Sequence, residues 1–225
     1  MATKRSYEDG CATAHGLDLI GERWALLIAR ELILGPKRFT DLRAGLPAIS
    51  PNVLTQRLEE LEAAGIVRRR KLPPPAPAWV YELTEWGLEL EKVIMALGRW
   101  AVRSPHLMDG AYPLSVDALV LSFRTMFSPD AARDMNATVE LRIGEERFRA
   151  VVAKGEMTLA RGEAVHPDAI IEAAPQALVA VAYMGRKFAE AVRAGELKVE
   201  GDKNVAKQFL SLFPMPAPVS AEASR

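Results

Sequence analysis

Polar side chains recur along one face of a predicted helix that begins after Ser50. Asn52, Thr55, Gln56 and Glu59 are spaced three and four residues apart, so they share one side of that helix. Asn and Gln amides can pair with adenine edges in a DNA major groove, and Thr can contact bases or phosphates. An ordinary amphipathic helix with a solvated face shows the same spacing, so this pattern alone leaves both interpretations open.

Four consecutive basic residues, Arg68 to Lys71, follow this helix in a predicted strand. Because side chains alternate across a strand, at least two of the four share a face, where they can pair with phosphates or enter a minor groove. A charge run alone is more often a solvated face. Between Arg30 and Lys71, however, nine Lys and Arg stand against five Asp and Glu, although the whole chain has a formal net charge of zero. This local surplus favours nucleic-acid binding.

The polar helix has recognisable start and stop signals. Ser50 is a favourable N-cap, Pro51 suits the first helical position, and Gly65 supplies the C-terminal stop. Apolar residues at three- and four-residue spacing predict that the opposite face is buried: Leu54, Leu58 and Leu61.

A shorter helix and a hairpin complete a winged helix-turn-helix. The short helix spans Phe39 to Arg43, after a Gly35-Pro36 turn. Strands at Ile66–Leu72 and Trp79–Leu83 flank a proline-rich tip, which we interpret as a stiff wing rather than an interdomain linker. In this motif the N-terminal part of the second helix enters the major groove.

Further helices surround the motif. We predict one at Ala12–Ile20, and a core helix at Trp24–Leu32 with Trp24, Leu27, Ile28 and Leu32 on one face. Thr84 should cap a long helix after the wing. Its apolar stripe predicts either intramolecular packing or a dimer interface, and consists of Trp86, Leu90, Val93, Ile94, Leu97 and Trp100.

The second half predicts an α+β domain with one mainly antiparallel sheet packed by helices. A linker at 104–113 separates it from the first domain, 1–103, and a disordered tail at 214–225 follows it. Between them, residues 114–213 are expected to contain helices at Val116–Phe127, Gln176–Tyr183, Lys187–Ala194 and Lys203–Phe213, and strands at Thr138–Ile143, Arg147–Val152, Glu156–Arg161, Asp168–Ala173 and Leu197–Glu200.

Composition narrows the function classes. The chain has 225 residues, 49% hydrophobic and 26% charged, which predicts a soluble globular protein. No membrane span or signal peptide is recognisable, so we expect a cytoplasmic protein without membrane insertion. Three scattered histidines and one cysteine predict no metal site and no cofactor. No catalytic motif is recognisable either, so an enzyme is not expected.

The N-terminal half resembles the HxlR-type winged-helix regulators. The matching segments include Leu17–Gly21, Arg23-Trp24, Gly35–Phe39, Leu46–Ser50, Leu54–Leu58 and Tyr81–Thr84. The resemblance implies a homodimeric regulator, expected to be a repressor, on a palindromic operator in double-stranded DNA. The family often has a basic residue at the position of Asn52, so its base preference does not carry over. The expected DNA contacts are Lys37, Arg38, Ser50, Asn52, Thr55, Gln56, Arg57, Arg68, Arg69 and Arg70.

The C-terminal half resembles sterol-carrier-protein type 2 domains. The matching segments are Met184 to Ala191 and Ala194 to Asp202, preceded by the antiparallel strands. The resemblance implies an apolar tunnel for a hydrophobic small-molecule or fatty-acyl effector. If the same side chains fill a dry core instead, this half has no tunnel. The expected lining is Phe123, Met126, Phe127, Val181, Met184, Phe188, Leu210 and Phe213.

Cys11 lies at the start of the first predicted helix. A helix N-terminus and nearby cations such as Lys4 and Arg5 lower the pKa of a thiol and make it more reactive. Some HxlR-type regulators sense oxidants or electrophiles at this position, which makes Cys11 a redox-sensing candidate by resemblance. This chain has Ala12 where the family often has proline, and a passive, half-buried thiol is the alternative.

Overall fold

The computed structural model describes residues 6–75, 77–105 and 114–219. The chain forms two compact units, Met1–Ile94 and Met95–Arg225. Most of the predicted linker, residues 106–113, and the end of the predicted tail, residues 220–225, lie outside the described residues. The domain limits expected from the sequence therefore stay a prediction, and each unit is described by itself.

The first unit is a winged helix-turn-helix, as the sequence predicts. Its helices are α1 (Ala12–Ile20), α2 (Ala25–Leu32), α3 (Phe39–Gly45), α4 (Pro51–Ala63) and α5 (Glu85–Leu88), and α6 (Leu90–Ala101) begins within it. The wing consists of β1 (Val67–Lys71) and β2 (Trp79–Leu83), paired antiparallel with Val67 opposite Leu83 and Lys71 opposite Trp79. Lys37 adds an isolated bridge to Tyr81, so the turn before α3 is hydrogen-bonded to the wing.

The predicted signals of α4 are confirmed. The Ser50 hydroxyl accepts a hydrogen bond from the backbone N–H of Val53, and Pro51 is the first helical residue. Gly65 follows the helix at a φ of 73°, a left-handed conformation that favours glycine. The buried residues of α4 are those expected from the spacing: Leu54, Leu58 and Leu61.

Two predictions for the neighbouring helices are wrong. Trp24 is not part of α2 but its left-handed N-cap, and Leu27 is 38% exposed, because the buried face of α2 includes Ala25, Ile28 and Leu32. Thr84 caps only the four-residue α5, and α6 starts separately at Leu90. The N–H of Glu89 bonds to the carbonyl of Trp86, three residues back, which tightens the turn and interrupts the helix.

The second unit has the predicted α+β architecture. Its strands β3 (Ala137–Ile143), β4 (Glu146–Ala153), β5 (Glu156–Arg161), β6 (Ala169–Ala173) and β7 (Leu197–Gly201) form one sheet in the order β5-β4-β3-β6-β7. Only β3 and β6 pair in parallel. Gly144 and Gly155, at φ values of 60° and 75°, make the two hairpin turns that the sequence predicts. The helices are α7 (Val116–Met126), α8 (Pro175–Tyr183), α9 (Phe188–Arg193) and α10 (Lys203–Leu210).

An aromatic cluster lies in the core of this unit. The ring of Phe123 on α7 stacks on Phe213 at a centroid distance of 4.5 Å, and Phe209 on α10 meets Phe213 edge-on at 5.2 Å. These contacts join α7 to α10, which packs on β3 and β6. Residues 214–219 form neither helix nor strand, but the N–H of Val219 donates to the carbonyl of Arg103 at 2.8 Å.

Gly87 provides a direct test of the packing in the first unit. A Cβ at Gly87 would overlap the carbonyl oxygen of Ile66 and lie 3.1 Å from its carbon, and this backbone group cannot turn aside as a side chain can. We expect Gly87→Ala to lower the free energy of unfolding by about 1–3 kcal/mol. Urea denaturation followed by tryptophan fluorescence measures it.

Gly16→Ala is the matched control, because a Cβ there meets nothing within 4 Å in the helix α1. It should leave stability unchanged or raise it by up to about 1 kcal/mol. If Gly87→Ala were as stable as the wild type, the close approach of α5 to Ile66 would be contradicted.

Candidate functional site

The solvent-facing side of α4 presents the predicted polar residues. Asn52, Thr55 and Gln56 are exposed. The Thr55 hydroxyl donates to the carbonyl of Pro51 at 3.0 Å, and the Gln56 amide donates to Glu60 at 3.0 Å. The Ser50 hydroxyl serves as the helix cap. This face can therefore offer amide groups to the edges of bases.

Lys37 has a different environment from the one expected for a DNA contact. Its ammonium lies 2.9 Å from the carboxylate of Glu31, which is fully buried on α2 and also pairs with Arg30 at 2.9 Å. The Lys37 side chain is only 13% exposed. Since a buried carboxylate needs compensating charge, Lys37 belongs to the internal structure of the domain. Arg38 is exposed, and its backbone N–H donates to Asp41.

Arg57 is also held within the domain. Its guanidinium pairs with Glu60 one turn along α4 and with Glu22, at 3.2 Å, in the segment before α2. Its side chain is 13% exposed. Arg57 therefore ties α4 to the segment between α1 and α2, and the arrangement does not leave it extended toward a ligand.

The basic residues of the wing divide between its two faces. The guanidinium Nε atoms of Arg68 and Arg70 each donate to the Glu82 carboxylate at 2.7 Å. Burial alone would raise the pKa of Glu82, but the hydrogen bonds and charges of Arg70 and Arg68 outweigh it and hold the pKa below its usual range. Arg69 points the other way, with its guanidinium carbon 4.6 Å from the ring centroid of Trp79. The alternation expected from the sequence thus separates the two arginines that share Glu82 from the arginine that stacks on Trp79.

The apolar stripe predicted for the helix after the wing is open to solvent. Every residue of α1 and α6, all within the described ranges, is at least partly exposed. The most exposed large side chains of the stripe are Trp100 at 74%, Trp86 at 51%, Val93 at 48% and Leu97 at 45%, while Leu90 and Ile94 are half-buried. Packing within each unit therefore leaves much of this stripe uncovered.

Cys11 is exposed rather than half-buried, and it is the N-cap residue of α1. Hydrogen bonds from the backbone N–H groups of Thr13 and Ala14, and from the Thr13 side chain, hold the pKa of the Cys11 thiol below its usual value. Lys4 and Arg5, the cations named from the sequence, lie outside the described residues. Among the described residues, the groups at the helix start cause the lowered pKa.

The predicted ligand-contacting residues fall into two groups. Phe123, Met126, Leu210 and Phe213 are buried in the packed core of the second unit. Phe127, Val181 and Phe188 are half-buried, and Met184 is 60% exposed. The Tyr183 hydroxyl bonds to Ser122 at 2.8 Å beside the aromatic cluster, and burial raises the Tyr183 pKa well above its usual value.

A cavity of about 780 Å³ lies elsewhere in the second unit, at the start of α8 and the adjoining ends of β6 and β7. None of the eight predicted side chains, all within the described residues, belongs to its lining. The alanine-rich run at 173–177 is the sequence signal that marks this place. The lining consists of Gly144, Glu172, Ala173, Ala174, Pro175, Gln176, Ala177, Ala180, Gly195, Glu196 and Lys198.

The N-terminal half is similar to bacterial regulators. The uncharacterized HTH-type transcriptional regulator YybR of Bacillus subtilis (strain 168) is 38% identical over 102 residues, which are 45% of this chain and 82% of that protein. A family model described as HxlR-like helix-turn-helix matches residues 19–107. The chain belongs to the HxlR-like helix-turn-helix family. The HTH-type transcriptional regulator YodB of the same organism is 42% identical over 83 residues, 37% of this HxlR-like chain and 74% of YodB.

Among solved structures, the reduced form of the transcriptional regulator YodB from B. subtilis is 37% identical to the HxlR-like chain, with a TM-score of 0.39. The match covers 44% of the HxlR-like chain and 97% of the YodB chain. The C-terminal half matches a different family model, described as alkyl sulfatase C-terminal, over residues 111–219. That description differs from the sterol-carrier resemblance noted in the sequence. Within the described residues of this HxlR-like protein, no helix has the length and apolar character needed to cross a bilayer.

The lowered pKa of Cys11 has a measurable consequence. The thiolate is the nucleophile, so alkylation by iodoacetamide should reach half its maximal rate at a lower pH in the folded protein than in urea. Thr13→Val removes one of the hydrogen bonds to sulfur and should move the folded profile to higher pH.

Thr55→Val, on α4, is the control and should leave the profile of Cys11 unchanged. As the chain has one cysteine, the total alkylation rate reports this site alone. Coincident profiles for folded and unfolded protein would contradict the stabilised thiolate.

Proposed function

We propose that this protein is a transcription regulator that binds a palindromic operator in double-stranded DNA as a homodimer, and that a hydrophobic or acyl ligand in its C-terminal domain modulates operator affinity. The observation that carries the proposal is the exposed amide face of α4 beside a basic wing, in a chain of the HxlR-like family. We also propose that binding represses transcription, because a dimer whose operator overlaps a promoter excludes polymerase sterically.

Base selectivity is assigned to α4. Asn52 and Gln56 lie on the exposed side of the helix, four residues apart, and each amide can bond to both N6 and N7 of adenine. A good bidentate pair of this kind discriminates against the wrong base by about 1–3 kcal/mol. Turning Gln56 to a base replaces its 3.0 Å bond to Glu60, so Asn52 is the less encumbered of the two.

A second copy of the chain is proposed to cover the exposed apolar helices. α1 and α6 are both partly exposed along their whole length, and Trp100 on α6 is 74% exposed. An exposed apolar stripe that contains two tryptophans is typical of a protein–protein interface rather than of a solvated surface. Packing this stripe against the same stripe of a second copy generates two-fold symmetry. Two-fold symmetry in the protein matches two half-sites in the operator.

The effector is assigned to the second unit. Its cavity of about 780 Å³ is within the size range of small-molecule sites and is lined by small apolar residues with a charged edge at Glu172, Glu196 and Lys198. The resemblance to sterol-carrier domains supports an acyl or otherwise hydrophobic ligand. Such a ligand alters operator affinity only if it binds the free and DNA-bound states unequally, and a coupling of about 1–3 kcal/mol gives a roughly 5–150-fold change.

DNA binding is tested by fluorescence anisotropy on the upstream DNA of the protein's own gene against a shuffled duplex, across a salt series. We expect selective binding, with light scattering showing two chains per duplex. The double variant Asn52→Ala and Gln56→Ala should lose about tenfold or more in selectivity while keeping its affinity for the shuffled duplex.

Asn204→Ala is the matched control, because it removes an exposed amide from α10 in the other domain. If the wild type shows no preference for the upstream duplex, the assay is repeated on fragmented genomic DNA. If the protein selects no fragment of genomic DNA either, the alternative is favoured: a lipid-binding or protein-interaction module without sequence-specific DNA binding.

The effector is tested by adding oleate to the same binding assay. Wild-type protein should lose about fivefold or more in operator affinity, and Ala177→Trp, which fills the cavity, should remove the response. Ala189→Trp places the same bulk on an exposed position of α9 outside the cavity lining and should respond as wild type does. An equal response in both variants would exclude this cavity as the effector site.

A further inference from the structure

The two faces of the wing carry different chemistry. Residues directly opposite each other in an antiparallel pair share a face, and the register places Arg68 opposite Glu82 and Arg69 opposite Tyr81. We call the face with Arg68, Arg70 and Glu82 the carboxylate face. The other, the aromatic face, carries Arg69, Lys71, Trp79 and Tyr81.

Two arginines of the carboxylate face are already engaged. Glu82 is 13% exposed and accepts a hydrogen bond from each guanidinium, so one negative charge is shared between Arg68 and Arg70. Charge-assisted bonds of 2.7 Å are strong, and either arginine must give one up before it can turn its Nε toward DNA. This face therefore offers less to a polyanion than its two arginines suggest.

The aromatic face holds its basic residues differently. Within residues 6–75 and 77–105, no carboxylate pairs with the side chain of Arg69 or Lys71. The Arg69 guanidinium lies over the Trp79 ring at 4.6 Å and near the Tyr81 ring at 5.9 Å. Stacking uses the flat side of a guanidinium and leaves its N–H edges available. Trp79 itself is 52% exposed, so part of its ring faces solvent.

This arrangement suits the minor groove of duplex DNA. The groove presents adenine N3 and thymine O2 as acceptors, and its narrow segments attract arginine. An arginine already held against an aromatic ring loses less conformational freedom on binding than a free one. Because β1 directly follows α4, the aromatic face belongs to the same structural unit as the proposed base-contacting helix.

We propose that the wing binds duplex DNA through its aromatic face, with Arg69 as the contacting residue and Trp79 as the positioning residue that holds the Arg69 guanidinium against its ring. The inference rests on the proposed function and narrows it, since the sequence alone assigns Arg68, Arg69 and Arg70 equally. Trp79 is an addition to the residues expected from the sequence.

The test measures the affinity of four variants for the upstream duplex as a function of salt. Arg69→Ala should weaken binding about fivefold or more and reduce the slope of log affinity against log salt by about one. Arg68→Ala, the matched control on the carboxylate face, should lose less than about threefold and keep the slope. Trp79→Leu keeps the charge and should lose about two- to fivefold without a change of slope, while Trp79→Phe, which retains an aromatic ring, should recover most of that loss.

The outcomes separate this inference from the proposed function. If the wild type binds the duplex and Arg68→Ala loses as much affinity as Arg69→Ala, the assignment of the contact to the aromatic face is overturned. The proposal that the protein binds DNA then still stands. Equal losses in Trp79→Leu and Trp79→Phe overturn the positioning role. Absence of wild-type binding to any duplex overturns both proposals. If the Trp79 variants unfold, the comparison of Arg69→Ala with Arg68→Ala still decides which face binds.

Discussion

One buried carboxylate organises the N-terminal domain. Glu31 on α2 has no exposed surface, and its charge is compensated by Arg30 and by Lys37. Lys37 also exchanges two backbone hydrogen bonds with Tyr81 of the wing, at 3.0 and 2.8 Å. Gly45, at the end of α3, lies against the same carboxylate, and a Cβ at this position would overlap it. Helix α2, the end of α3 and the wing thus meet around a single charge.

That arrangement explains why the wing has a defined position. A two-stranded ribbon on its own is marginally stable in water and needs packing against other elements. Here the bridge from Lys37 to Tyr81 adds a short third segment beside β2. At the base of the hairpin, the Thr84 hydroxyl, just after β2, donates to the carbonyl of Gly65, just before β1, at 2.8 Å. The aromatic and carboxylate faces are therefore presented in a fixed orientation relative to α4.

Local signals predicted most of the elements. The N-cap at Ser50, the stop at Gly65 and the hairpin glycines Gly144 and Gly155 each act within a few residues, so the sequence contains the whole cause. The partners of charged side chains depend on residues distant in the chain. Glu82 lies 14 residues from Arg68, and Glu22 lies 35 residues from Arg57. Spacing identifies which side chains share a face but not which carboxylate they meet, so the sequence alone assigns Lys37 and Arg57 to the DNA contacts.

The C-terminal domain shows the same limit for apolar residues. Periodicity predicted that Phe123, Leu210 and Phe213 face inward, and they do, but it cannot separate a filled core from a lined cavity. The rings of Phe123 and Phe213 stack directly on each other. The cavity is lined instead by small side chains, among them Ala173, Ala174 and Ala177. These side chains are too small to fill the space between the elements that carry them.

The shared carboxylate of the wing also fixes how its charge responds to acid. Because the hydrogen bonds and charges of Arg70 and Arg68 outweigh burial and hold the pKa of Glu82 below its usual range, acid protonates this group at a lower pH than an ordinary glutamate. The wing therefore keeps the same net charge across mildly acidic and neutral conditions. Across that pH range, the attraction of the wing for a polyanion varies with salt concentration rather than with pH.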